Sequence, residues 1–417
     1  MGLYKLKKTL LLTALSLAPL SQYASNRELA NETMLVRSID EFTFDLHRRS
    51  SKDFKSNLVH SPFSIYTALS LVSQGARGQT SLQMARTLRL PYFGEKLGSA
   101  LHTLQGAMIG KKESNDYALN FGNSVWFNFD TILTTNFLNV AENCYEAKIQ
   151  SLDFDDSATT VGTINQWVSN QTEGKIPKLL SQGDISSSTK MAIVNTVFFD
   201  GSWLKPFNKR LTTNDLFYSM GKTYENVPMM EQTDYFLYSE TDKCQMMSLP
   251  FKKKNTDSSD LAFVVILPKK TSSIGDLGTA LDSFAFTTEL SNMDQRKLHI
   301  TMPKIDMDIK QNLESTLSDM GMPMAFSRNA DFTGMSSNQD LSISKIIHQA
   351  YFKADEDGVC AAAATAVTMV ATCVKIPPES PIEMIINRPF MFFIVDLKSQ
   401  AILFSGNYVT PNEGTEK

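Results

Sequence analysis

One stretch narrows what this chain can fold into more than any other. Val359 to Val374 reads VCAAAATAVTMVATCV, with no charge, no proline and no glycine. Asp355, Glu356, Asp357 and Gly358 precede it, and Lys375, Pro377 and Pro378 follow it. A surface helix needs a polar face, and this run has none. Its alanines favour a buried helix. Val367, Thr368, Val370, Thr372 and Val374 are better strand formers. Written as a strand, one face carries Val359, Ala361, Ala363, Thr365, Val367 and Met369. The other carries Cys360, Ala362, Ala364, Ala366, Thr368 and Val370. Both faces are small or apolar, so the run suits the middle of a sheet covered on both sides. Pattern alone leaves buried helix and buried strand equally open.

The surrounding chain is rich enough in apolar residues to form a core: 42% of 417 residues are hydrophobic and 20% charged. Helical patterns gather early. Val36, Ile39, Phe42 and Leu46 recur at helical spacing. Ser61-Pro62 is a cap followed by a first-turn proline, and Ile65, Leu69 and Val72 continue one face up to Gly75. Thr80 and Gln83 have the spacing of a capping box, with Pro91 ending that helix. Thr163, Ile164, Trp167 and Val168 mark another amphipathic helix that stops near Gly174. Strand patterns come later. Met191–Phe199 (MAIVNTVFF) and Leu261–Leu267 (LAFVVIL) are nearly all apolar, as strands buried on both faces are. Leu298, Ile300 and Met302 alternate, His348, Ala350 and Phe352 do so in part, and Met391–Val395 and Ala401–Phe404 are two more short strands. No repeat or linker divides these segments, so the reading is one large α+β unit.

The N-terminus reads differently. Lys5, Lys7 and Lys8 precede an apolar run from Thr9 to Leu20, with Ser21, Gln22 and Ser25 after it. That order describes a secretory signal peptide over residues 1–24, cut after Ala24, with residues 25–417 forming the fold. The run is too short to span a bilayer, and no later stretch reads as membrane-spanning. Asn31-Glu32-Thr33 and Asn170-Gln171-Thr172 are glycosylation sequons, which suit secretion. The balance of 44 acidic and 40 basic side chains gives no footprint for nucleic acid. Four cysteines exclude a disulfide-dense scaffold, and five histidines argue against a multi-His metal centre. The chain contains no G-x-S-x-G elbow, H-E-x-x-H or C-x-x-C, so no nucleophile or zinc site is signalled.

Six blocks carry a family resemblance. Glu356-Asp357-Gly358 followed by Ala361-Ala362-Ala363-Ala364-Thr365-Ala366 resembles the hinge of a serpin reactive-centre loop. Asn195 to Trp203 (NTVFFDGSW) with Lys205-Pro206-Phe207 is similar to the serpin breach, where the loop first enters the main sheet. Ser61-Pro62-Phe63-Ser64-Ile65 resembles the shutter. Ile164-Asn165 with Thr172 to Ile176 resembles the helix over that sheet. Ala330 to Gly334 followed by Ile346 to Ala350 matches the stretch leading into the loop. Asn387-Arg388-Pro389-Phe390 and Phe404-Ser405-Gly406-Asn407 look like the C-terminal signature. The blocks occur in family order over residues 35 to 411.

The resemblance implies a single-domain fold with helices packed on three β-sheets and an exposed reactive-centre loop over about 356–381. It implies an inhibitor of serine proteases, and in some members of cysteine proteases, rather than an enzyme. The protease attacks the loop, and the cleaved loop inserts into the main sheet with the protease attached as an acyl-enzyme. A segment that lives exposed and later buried cannot carry charge or proline, which accounts for the composition of Val359–Val374. The resemblance assigns Glu356, Gly358, Val359, Ala361, Ala362, Ala363, Ala364 and Thr365 to the hinge. It pairs Glu356 with Lys304 at the hinge base, an exposed pair worth about 0–1 kcal/mol. It places Trp203 at the breach and His348 near Ser61 and Ser64 in the shutter. Counting from Glu356 puts the scissile bond at Thr372-Cys373, which fits an elastase-like pocket best. The stretch from Cys373 to Pro389 is longer than is common in the family, and Lys375-Ile376 is a second candidate bond. No cofactor or metal is expected, and neither is heparin activation, because the candidate helix from Leu97 to Gly110 offers only His102 and then Lys111 and Lys112. The expected state is a secreted monomer. The alternative within the family is a non-inhibitory carrier, chaperone or storage protein. The four cysteines allow three full pairings, one of which joins Cys144 to Cys244.

Overall fold

The computed structural model describes residues 20–109, 117–253, 260–337, 341–359 and 380–411. Helices dominate the early part of the chain. They are α1 (Leu20–Ser50), α2 (Pro62–Gly75), α3 (Gly78–Thr87), α4 (Glu95–Ile109), α5 (Thr135–Tyr145) and α6 (Ser157–Gln171). Three short helices follow, α7 (Ile274–Ala280), α8 (Ser283–Ser291) and α9 (Glu314–Asp319). The start of α2 follows from its sequence: Ser61 caps it by accepting the Ser64 N–H at 3.3 Å, and Pro62 needs no donor in the first turn. The expected capping box at Thr80 is not formed. Arg77 occupies the N-cap, and its side chain makes no capping bond. Thr80 lies inside α3, where its hydroxyl accepts the Asp331 N–H, and Gln83 accepts the Met324 N–H. Both side chains serve tertiary contacts rather than their own helix.

The strands are β1 (Leu58–His60), β2 (Tyr117–Asn128), β3 (Lys148–Leu152), β4 (Met191–Ser202), β5 (Thr213–Ser219), β6 (Lys222–Glu240), β7 (Cys244–Pro250) and β8 (Leu261–Pro268). They continue with β9 (Asp294–Pro303), β10 (Ile305–Asn312), β11 (Ile343–Ala354), β12 (Gly358–Val359), β13 (Ile382–Ile385), β14 (Phe390–Asp396) and β15 (Ile402–Tyr408). One sheet has six strands in the order β10-β11-β12-β4-β2-β3. The other has nine, running β1-β15-β14-β8-β7-β6-β9-β13, with β5 on β6. The second and third of the three expected sheets are joined because β6 is long enough to serve both: its end pairs with β7, while its middle pairs with β9 and its start with β5.

The apolar strands sit where their composition requires. On β4, Ala192 and Val194 face a layer formed by α6 and the segment after it, including Ile164, Val168, Leu179 and Leu180. Met191, Ile193, Val197 and Phe199 face the main core with α2. Asn165 ties the covering segment down, accepting the N–H groups of Leu179 (2.9 Å) and Leu180 (2.7 Å).

Candidate functional site

The site is a seam in the six-stranded sheet. Strands β4 and β11 run parallel and pair directly from Met191 with Ile343 up to Val197 with Ala350. Above that pair they part. Into the gap comes β12, where Val359 pairs with Ala354 on one side and Gly201 on the other. The sheet is therefore closed along its lower length and already wedged open at the top.

Polar side chains lace the closed part. His348 and Asn195 face each other in the seam. The His348 Nε2 accepts the Ser61 N–H at 3.1 Å, so the ring proton lies on Nδ1 and is donated to Asn195 Oδ1. Asn195 Nδ2 in turn donates to Ser64 Oγ at 2.6 Å and to Asn123 Oδ1. The Ser61 hydroxyl donates to the Leu403 carbonyl at 2.7 Å. One network thus joins the start of α2 to β2, β4, β11 and β15. Full burial drives the His348 pKa down to about 3, against the weaker opposing effect of its bond to Asn195. The imidazole is neutral, as its acceptor role requires. Two more buried histidines stand close by. His47 bonds Asn407 Oδ1 (2.9 Å) and Ser405 Oγ, and burial lowers its pKa to about 4. The His60 ring centre is 5.7 Å from that of His47, and burial likewise holds its pKa well below the usual value.

The gap at the top has its own fixings. Four successive carbonyls are taken: Asp355 by the Trp203 indole N–H (2.8 Å), Glu356 by the Phe207 N–H (2.9 Å), Asp357 by the Trp203 N–H (2.9 Å) and Gly358 by the Asp355 N–H (2.9 Å). Trp203 stacks on Phe251 with centroids 4.9 Å apart, which holds the indole donor in place. Gly358 crosses β4 so closely that a Cβ there would lie 2.1 Å from the Gly201 carbonyl oxygen. No other residue fits that crossing without moving the strand. Glu356 Oε1 receives Lys304 Nζ at 2.8 Å and the Thr212 hydroxyl at 2.6 Å. Burial alone would raise the Glu356 pKa, but these two bonds outweigh it and hold the carboxyl below the usual glutamate range.

Two expectations are corrected here. The Lys304–Glu356 pair is not exposed: the Glu356 side chain is 5% accessible, so its charge depends on these partners far more than a surface pair would. The exposed loop does not begin at 356. Glu356 and Asp357 are buried and Val359 is fully enclosed in the main core, because the gap between β4 and β11 accepts it. Ala361, Ala362, Ala363, Ala364, Thr365, Thr372 and Cys373 lie outside the described residues. Asn31 falls in α1, which continues across the expected cleavage point at Ala24, and Asn170 is exposed near the end of α6. Cys144 and Cys244 are both free thiols, so that pairing is absent.

Sequence reasoning missed Asn123 and gave Asn195 no role. The signal for Asn195 was present: with Thr196 it is one of two polar residues in MAIVNTVFF, and an amide in a strand buried on both faces must find partners. Nothing comparable marks Thr212, whose partner is far away in sequence.

A family model described as Serpin (serine protease inhibitor) matches residues 37–411. The chain belongs to the serpin family. Its family is thus one of protease inhibitors rather than catalysts. The chain is 34% identical over 386 residues to a leukocyte elastase inhibitor of Xenopus tropicalis, covering 90% of this chain and 99% of that one. It is 32% identical over 400 residues to an uncharacterised serpin-like protein of Thermococcus kodakarensis, covering 96% and 91%. The crystal structure of a highly specific serpin from the insect Tenebrio molitor superposes with a TM-score of 0.79 at 25% identity, covering 91% of this chain and 98% of that one.

Proposed function

We propose that this serpin traps its target protease by feeding its cleaved loop, as a new strand, into the seam between β4 and β11. The observation that carries this reading is Val359, which already occupies the top of that seam and pairs with both strands. Attack on the carbonyl of Thr372 would break the bond to Cys373, whose amine leaves, and join the protease serine to Thr372 as an ester. Zipping Val359 to Thr372 down the seam at about 3.3 Å per residue carries the ester roughly 40 Å. The chain between them has no charge to oppose burial. The new strand would replace the direct β4–β11 ladder with two ladders, which supplies the driving force.

A small β-branched residue at Thr372 supports an elastase-like or chymotrypsin-like target, and a cysteine protease would use the same bond through a thioester. The protein is read as a secreted monomer cut after Ala24, with sugar on Asn31 and Asn170. Trapping is expected to be independent of heparin, since His102 on α4 faces Glu146 at 3.4 Å rather than joining a cationic surface. The test is a panel of proteases incubated with the mature protein and resolved on denaturing gels. A band at the summed mass identifies the mechanism and the target class. Cleavage by every protease with no such band would replace this reading with a non-inhibitory carrier or storage role.

A further inference from the structure

Asp355, Glu356 and Asp357 put three carboxylates side by side at the point where the chain enters the sheet. Lys304 answers Glu356. A second lysine answers Asp357 from a different element: Lys209, which opens the short 3-10 turn Lys209–Leu211, places Nζ 2.6 Å from Asp357 Oδ2. The Asp357 side chain is 12% accessible and that of Lys209 63%. The turn continues the segment whose Trp203 and Phe207 N–H groups hold the hinge carbonyls, and Thr212, just after it, holds Glu356. Apart from Lys304 and the Asp355 N–H, the backbone and side-chain fixings of the hinge named above therefore come from one stretch, 203–212.

We propose that Lys209 is a positioning residue for trapping: paired with Asp357, it keeps Val359 seated in the seam before any protease arrives. The inference rests on the loop-insertion reading above. Without Lys209, a carboxylate between acidic Glu356 and the sheet has lost its cation, and it gains by turning toward water. The Asp357 carbonyl then leaves the Trp203 N–H, and Gly358 and Val359 follow. After cleavage the loop must find the gap afresh, while hydrolysis of the ester runs at its own rate. More of the protease escapes.

The experiment compares the parent with Lys209→Met, which keeps the stem without the charge, and Lys209→Arg, which restores a cation. Stoichiometry of inhibition against the trapped protease is expected to rise about two- to fivefold in Lys209→Met and to return towards the parent value in Lys209→Arg. Association rate is expected to be unchanged, since the scissile bond is remote. Amide exchange of the peptides containing Trp203 and Glu356–Val359 is expected to quicken in Lys209→Met, with the thermal midpoint nearly unchanged. Parent-like stoichiometry and exchange in Lys209→Met would overturn the proposal. If the parent traps no protease, the loop-insertion reading falls, and exchange alone decides whether Lys209 seats the hinge.

Discussion

Val359 concentrates the argument at the scale of one residue. It is fully enclosed, and it pairs with two strands at once. Val359→Arg would place a guanidinium among apolar neighbours, at a cost of several kcal/mol even after relaxation. The hinge is expected to leave the seam, and the protein to be cut as a substrate with little covalent complex. Stoichiometry measured alongside cleavage of the loop checks this, and unaltered inhibition would remove Val359 from the mechanism. The sequence made this residue legible only in part. Its place at the head of a charge-free run was visible, but its burial was not, because burial depends on how far β4 and β11 separate. Glu356 shows the same limit. Its partner Lys304 could be named from the resemblance, whereas Thr212 and the depth of the pair arise from packing that no local pattern records.

Elements meet at the shutter, where the start of α2, β2, β4, β11 and β15 share one polar network built on neutral His348, with neutral His47 and His60 close by. That neutrality has a consequence for stability. His47, His60 and His348 all bind protons less readily folded than unfolded, so the unfolded chain takes up more protons below about pH 6.5. Stability is therefore greatest above that pH and falls as pH drops toward the folded values of about 4 and 3 for His47 and His348. Each imidazole contributes roughly 1.4 kcal/mol per pH unit in that window. Buried Asp40, whose pKa burial raises despite its bond from the Ile402 N–H, and half-buried Asp200, whose pKa burial raises to about 6, work in the opposite sense but are two carboxyls against three imidazoles. Urea midpoints are expected to fall between pH 7 and pH 5, and His348→Gln to be less stable at pH 7 with a shallower slope. Equal midpoints at the two pH values would show that these histidines are not held neutral. Elements were the most legible level of the sequence. The run from Met191 and that from Leu261 became β4 and β8 because their apolar faces had to be covered on both sides. The failure at α3 has the same origin: Thr80 and Gln83 had the right spacing, but Asp331 and Met324 competed for their side chains.

For the whole molecule, the question is whether the seam opens. Motifs in order along the chain were enough to place the fold and the family, since the blocks fix pieces of both sheets and of the helices packed on them. What they could not show is that the lower seam is closed by a direct parallel ladder, so that trapping requires β4 and β11 to part. A disulfide across the first closed pair tests that requirement. Val197 and Ala350 are partners in the ladder and both face the main core, and adjacent strands lie about 4.8 Å apart, within the reach of a disulfide. The variant carrying Val197→Cys and Ala350→Cys should therefore be able to lock the seam when oxidised. Covalent complex with the target protease is expected to disappear in the oxidised form, with the loop still cut, and to return on reduction. Equal trapping by the oxidised and reduced forms would contradict insertion between β4 and β11.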